Sequence, residues 1–71
     1  MTDAAQTLFE YARETIAESE KALIYVGRHT FAATRASTTP ELPGVGIFDL
    51  VTGATIMIRL DRIDAVLESP E

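Results

Sequence analysis

The chain of 71 residues contains no cysteine and no tryptophan, and it has one histidine. Without cysteine it forms no disulfide, no thiolate zinc site and no iron–sulfur cluster, which are common supports of small domains. The longest apolar run, Ala22 to Val26, is far too short to span a bilayer, and residues 1–10 lack the pattern of a secretory signal. We therefore expect a soluble, cytoplasmic protein.

Basic residues are also few. Six Lys and Arg stand against eleven Asp and Glu, which gives a net charge of −5. Because phosphate binding requires clustered bases, this balance argues against a nucleic-acid partner. Residues 21–36, with three bases and no acid, form the one segment suited to a polyanion. With 46% hydrophobic and 24% charged residues the composition is that of a folded protein, and so small a domain is expected to associate with itself or with a larger protein.

Helical spacing of apolar residues dominates the first part of the chain. It predicts an amphipathic helix over about residues 3–20, with Asp3 as its N-cap. Tyr11 lies off the apolar stripe and is an interface candidate. The opposite face carries an acidic ridge of three residues four positions apart: Glu10, Glu14 and Glu18. The apolar stripe consists of Ala5, Leu8, Phe9, Ala12 and Ile16.

From residue 22 to about 68 the pattern favours strands. A hairpin is predicted at Gly27-Arg28, with its first arm, Ala22 to Val26, buried on both faces. Residues 37–44 contain two prolines and predict a loop, the best candidate for recognition. Further strands are predicted on either side of Thr52-Gly53, whereas residues 62–68 fit a short strand and a helical turn equally. The fold class is α+β: one domain, residues 1–71, with the helix packed on three to five antiparallel strands in a small sheet or open β-barrel.

No constellation of residues predicts catalysis. His29 is read as a solvated residue of the hairpin turn, and the serines lack a nucleophile elbow. Gly44-Val45-Gly46 precedes a strand, where dinucleotide binding needs a helix, so it is read as a loop-to-strand entry. We expect no enzymatic activity, no cofactor and no metal site. Three acids close in sequence lack EF-hand spacing and have Arg62 among them, so a solvated acidic edge is the preferred interpretation: Asp61, Asp64 and Glu68.

The residue types predict which side chains form the core and which the contact surfaces. Phenylalanines are most often core residues, and we assign that role to Phe9, Phe31 and Phe48. The candidates for a protein interface are the ridge and Tyr11 on the helix, two residues of the loop, and two arginines near the last strands: Glu10, Tyr11, Glu14, Glu18, Glu41, Leu42, Arg59 and Arg62.

The order of these features resembles a known family. The sequence segments on which the resemblance rests are Leu8-Phe9, Thr15-Ile16, Tyr25-Val26-Gly27-Arg28, Gly46-Ile47-Phe48-Asp49 and the stretch from Ile58 to Val66. They are similar to the small head-to-tail attachment (neck) proteins of long-tailed bacteriophages and prophages. The resemblance implies a helical segment before a small β-barrel that packs as a ring. It also implies a virion-associated, structural role without chemistry.

Three functions remain open from the sequence. The favoured one is a non-enzymatic interaction or assembly module that forms an oligomer, with a head-tail adaptor as its specific form. The second is a small acidic inhibitor or regulator, whose ridge binds the basic, nucleic-acid-binding surface of another protein. The third, a ligand-binding domain or an enzyme, is the least favoured because so thin a domain seldom encloses a pocket.

Overall fold

A computed structural model describes residues 4–68. It contains one helix packed on a five-stranded antiparallel open sheet, which confirms the α+β prediction. The strand count lies at the upper end of the expected range. In chain order the elements are α1 (Ala4–Ser19), β1 (Ala22–Val26), β2 (His29–Ser37), β3 (Val45–Leu50), β4 (Thr55–Arg59), the 3₁₀ turn η1 (Leu60–Arg62) and β5 (Ala65–Glu68).

The strands lie in the order β4, β3, β2, β1, β5, so that β4 and β5 form the two edges of the sheet. Short connections join β1 through β4, and β5 then returns to pair with β1 on the far side. The predicted hairpin turn is present, because Val26 pairs with His29 across Gly27-Arg28. Gly27 adopts a φ of 60°, which glycine reaches without steric cost.

The core lies between α1 and one face of the sheet, which we call the inner face. α1 packs against β1, β2, β5 and η1. Phe9 of α1 and Phe48 of β3 meet edge to face with ring centroids 5.9 Å apart, and neither ring exposes more than 1% of its surface. Burying each ring contributes about 1.5–3 kcal/mol, so this pair is a main attachment of the helix. The apolar stripe predicted for α1 faces this core, with Thr15 added to it.

At Gly46 the backbone of β3 lies very close to side chains of the same core. A Cβ atom at this position would lie 2.8 Å from Cε2 of Phe48 and 2.9 Å from Cδ2 of Leu60. The backbone of β3 can therefore run beneath these two side chains only because residue 46 has none. Gly44, with a φ of 80°, comes just before the strand, so Gly44-Val45-Gly46 is a loop-to-strand entry, as predicted.

Several boundaries differ from the predictions. Ser37 pairs with Ile47, so the loop begins at residue 38 and not at 37. His29 is the first residue of β2 and not part of the turn. Residues 62–68 combine both predicted alternatives, because η1 ends at Arg62 and β5 follows from Ala65. The N-cap predicted at Asp3 lies outside the described residues.

Two burial predictions were wrong. β1 is not buried on both faces: Ala22 and Ile24 are fully buried on the inner face, whereas Leu23 and Tyr25 are half-buried on the other face. Phe31 is only half-buried, because its ring lines an open groove. In residues 4–68 no helix has the length and apolar character needed to cross a membrane.

Candidate interaction surfaces

The outer face of the sheet, opposite α1, carries apolar residues in two rows. Cross-strand partners point to the same face of an antiparallel sheet, so the strand register identifies each row. The first row crosses β5, β1 and β2, because Leu23 pairs with both Leu67 and Ala32. The second crosses β3 and β4, where Ile47 pairs with Met57. Leu67 and Met57, on the two edge strands, are the most exposed members at 50% and 64%.

A polar band separates the two apolar rows. Arg35 of β2 pairs with Asp49 of β3, which in turn pairs with Thr55 of β4. The Thr55 hydroxyl donates a hydrogen bond to Oδ1 of Asp49 over 2.9 Å. Apolar rows beside a polar, hydrogen-bonding band are the composition found in non-obligate protein interfaces.

A groove of about 410 Å³ runs between the edge strand β4 and the end of the β1–β2 hairpin. Its floor is mainly apolar, and His29 stacks on Phe31 at one side with ring centroids 6.2 Å apart. Arg59 and Arg62, both predicted interface residues, meet at this groove. The lining residues are Val26, His29, Phe31, Ile56, Met57, Ile58, Arg59 and Arg62.

The acidic ridge is present on α1 as predicted, with Glu10, Glu14 and Glu18 all exposed. Glu14 and Glu18 join Glu68 of β5 around a small cleft of about 150 Å³, which Tyr11 also lines. Tyr11 is 46% exposed, in agreement with its position off the apolar stripe. The helix and β5 are tied together here, since the Ser19 hydroxyl donates to Oε2 of Glu68 over 2.6 Å.

The two loop candidates stand apart from these surfaces. Glu41 and Leu42 are exposed in the segment 38–44 and line neither the groove nor the acidic cleft. A cleft of about 500 Å³ lies between this loop and the start of α1; it is lined by Pro43 and Gly44 of the loop, and also by Arg59, which borders the groove as well. The eight predicted interface residues therefore lie on the helix, in the loop and at the groove.

The acids near the last strands do not converge. Asp61 pairs with Arg59, whose Nη2 lies 3.0 Å from its carboxylate. Asp64 accepts the backbone N–H of Gly27 over 2.6 Å, and Glu68 bonds to Ser19. Across residues 4–68 no three His, Asp or Glu side chains lie where they could share a metal ion. Each of these carboxylates has a structural partner instead.

Four large side chains of the outer-face rows were not among the predicted interface residues: Leu23, Ile47, Met57 and Leu67. A signal was available for Met57, because it shares one face of β4 with the polar residues Thr55 and Arg59. No protein-family model, curated protein or solved structure matches the chain.

Proposed function

We propose that this protein is a non-enzymatic interaction module whose contact surface is the outer face of the sheet. The observation that carries the proposal is the pair of apolar rows on a face against which α1 does not pack. Leu67 and Met57 expose half or more of their surface there. Covering such side chains with a partner gains about 25 cal/mol for each Å² of apolar surface removed from water.

The polar band between the rows supports a specific contact. Arg35, Asp49 and Thr55 offer a cation, an anion and a hydroxyl in one line across three strands. Groups in such positions fix the orientation of a partner more than they add affinity. The more specific form of the proposal is an assembly role like that of the head-to-tail attachment proteins, in which neighbouring copies or other structural proteins cover this face.

A second candidate function rests on the acidic cleft. Three carboxylates and the exposed ring of Tyr11 surround it on the side of the molecule formed by α1 and β5. This arrangement favours a basic protein surface as partner and corresponds to an acidic inhibitor or regulator. The two candidates use different faces, so one experiment separates them.

The two tyrosines of the chain form a matched pair of probe sites. Tyr25 lies on the outer face of β1 and Tyr11 on the exposed side of α1. Each is replaced in turn by the photo-crosslinking residue p-benzoylphenylalanine, and the protein is irradiated in cells of its source organism. Adducts are then identified by mass spectrometry.

Discrete protein adducts from position 25, and none from position 11, are the result we expect. Adducts from position 11 alone would replace the outer-face proposal with the acidic-cleft candidate. That candidate further requires that reversal of Glu10, Glu14 and Glu18 to Lys abolishes the adduct while the circular dichroism spectrum stays unchanged. Absence of adducts at both positions would overturn both candidates.

A further inference from the structure

We infer that the open edge of β4 pairs with β4 of a second copy, joining two sheets into one about a two-fold axis at Met57. The inference rests on the proposed function, since it names a second copy of this chain as a partner for the Met57 end of the outer face. β3 is the element of residues 4–68 against which β4 packs, and the other edge of β4 is open.

The hydrogen bonds of the β3–β4 ladder show which backbone groups reach that open edge. At one end Leu50 N–H donates to the carbonyl of Ala54, and at the other Leu60 N–H donates to the carbonyl of Gly44, both over 2.8 Å. Bonded pairs recur at every second residue of an antiparallel ladder. The even-numbered residues of β4 therefore bond to β3. The odd-numbered ones direct their N–H and C=O groups to the open edge: Thr55, Met57 and Arg59.

These three residues are self-complementary. In an antiparallel pair centred on Met57, each Met57 lies opposite its copy, and Thr55 lies opposite Arg59 of the second copy. No like charges face each other. On the inner side Ile56 comes opposite Ile58 of the second copy, so apolar side chains meet beside the groove. β4 also contains no proline, no lysine and no bulge, which are features that protect natural edge strands, and its one charged residue, Arg59, lies opposite Thr55 in this register.

Charge complementarity favours the same register. Arg59 of the second copy would lie beside Thr55, whose hydroxyl is bonded to Asp49 on the next strand. Two strand spacings are about 10 Å, which brings the end of an arginine side chain near the Asp49 carboxylate. The present partner of Arg59 is Asp61, but both side chains are at least 60% exposed. An ion pair so exposed to solvent contributes little, so Arg59 can exchange it for the new contact.

The other edge is less suited to this pairing. β5 has four residues instead of five; Glu68 is its last residue, and Asp64 comes directly before it. Pairing two copies of β5 would gather these carboxylates along one seam, which is unfavourable. α1 also packs against β5, and its last turn is bonded to Glu68. The open edge of β4 is therefore better suited than that of β5 to pairing with a second copy.

The test uses charge complementation at the two-fold axis. Wild type, Met57→Glu, Met57→Lys and an equimolar mixture of the two variants are compared by sedimentation velocity over a wide concentration range. Because Met57 is 64% exposed, both variants should keep the wild-type fold, which circular dichroism checks. Val51→Glu is the matched control, since it adds the same charge to an exposed apolar position in the turn between β3 and β4, outside both apolar rows.

We expect a concentration-dependent dimer for the wild type and for Val51→Glu. Each Met57 variant alone should dimerise at least about tenfold more weakly, because like charges then face each other at the axis. The mixture should recover a dimer containing one copy of each variant. A monomeric wild type, a ring-sized mass, an unaltered dimer in Met57→Glu, or no recovery in the mixture would each overturn the β4 pairing.

The results that would overturn the β4 pairing do not decide whether the outer face binds another protein, which the probe at Tyr25 tests independently. If the β4 pairing is wrong but the outer face still binds a different protein, the probe at Tyr25 yields an adduct with that protein in both wild type and Met57→Glu. If the outer face binds nothing, the probe at Tyr25 yields no adduct, whatever the sedimentation result.

Discussion

Replacing Gly46 with alanine tests whether the core is as tightly closed above β3 as the structure indicates. The new Cβ would lie 2.8 Å from Cε2 and 3.1 Å from Cζ of Phe48, and 2.9 Å from Cδ2 of Leu60. Carbon atoms prefer about 3.5–4.0 Å. Phe48 cannot easily withdraw, because it is fully buried and its ring contacts Phe9. The added methyl group must therefore displace packed side chains.

The magnitude follows from two opposing effects. Overpacking of this kind costs about 1–3 kcal/mol. Alanine recovers about 0.5–1 kcal/mol, since it loses less backbone entropy in a strand than glycine does. Together the two effects give a loss of about 0–2.5 kcal/mol. Because three side-chain atoms lie within 3.1 Å of the new Cβ, we expect the free energy of unfolding to fall by about 1–2 kcal/mol, out of roughly 4–10 kcal/mol for a chain of this length. For a domain of this size Tm falls by about 4–8 °C for each kcal/mol.

The assay is thermal and urea unfolding followed by circular dichroism, with the m-value compared with that of the wild type. Leu60→Ala removes one of the atoms that obstruct the new methyl group. The double variant Gly46→Ala/Leu60→Ala should therefore be about 1 kcal/mol more stable than the sum of the two single effects predicts. Pairing Gly46→Ala with Leu67→Ala, on the far edge strand of the sheet, should give additive effects. A Gly46→Ala protein within about 0.5 kcal/mol of wild type would refute the reasoning.

Two further substitutions test the contacts that hold the sheet and helix in place. Asp64→Ala removes the acceptor of the Gly27 N–H and should lower the free energy of unfolding by about 1–2 kcal/mol. Asp64→Asn keeps an acceptor oxygen and should therefore be less destabilised. Equal losses of stability for the two variants in urea titrations would contradict this. Phe9→Ala should lower the free energy of unfolding by about 3–5 kcal/mol, because the ring is buried against Phe48. Tyr11→Ala, at an exposed position of the same helix, is the control. Similar losses of stability for both variants would be inconsistent with the described core.

Local patterns predicted the elements of this fold well. The stripe of α1, the hairpin turn at Gly27-Arg28 and the alternation in β4 each leave a periodic or turn signal in consecutive residues. The return of β5 to β1 leaves no such signal, since it depends on pairing between distant segments. Phe31 was assigned to the core by residue type, but its ring lines an open groove, and residue type alone does not indicate where a ring lies in the tertiary structure.

The candidate surfaces were only partly predictable for a similar reason. Charge spacing was sufficient to find the acidic ridge, because residues four apart share one helix face whatever the tertiary structure. The outer-face rows could not be found in this way. Leu23 and Leu67 are adjacent only because β5 pairs with β1, and hydrophobic residues in strands are ordinarily expected to be buried.

The position of β5 has a consequence for the order in which the molecule folds. β1 to β4 are connected as successive antiparallel neighbours, so each pairing closes only a short loop. β5 must instead find β1 after the whole meander has been made, since β1 ends at Val26 and β5 begins at Ala65. Such long-range pairing is slow and depends on contacts formed earlier. Because β5 is a four-residue edge strand, its backbone amides, and those of the helix end whose Ser19 is bonded to Glu68, should exchange with solvent hydrogen faster than those at the centre of the sheet.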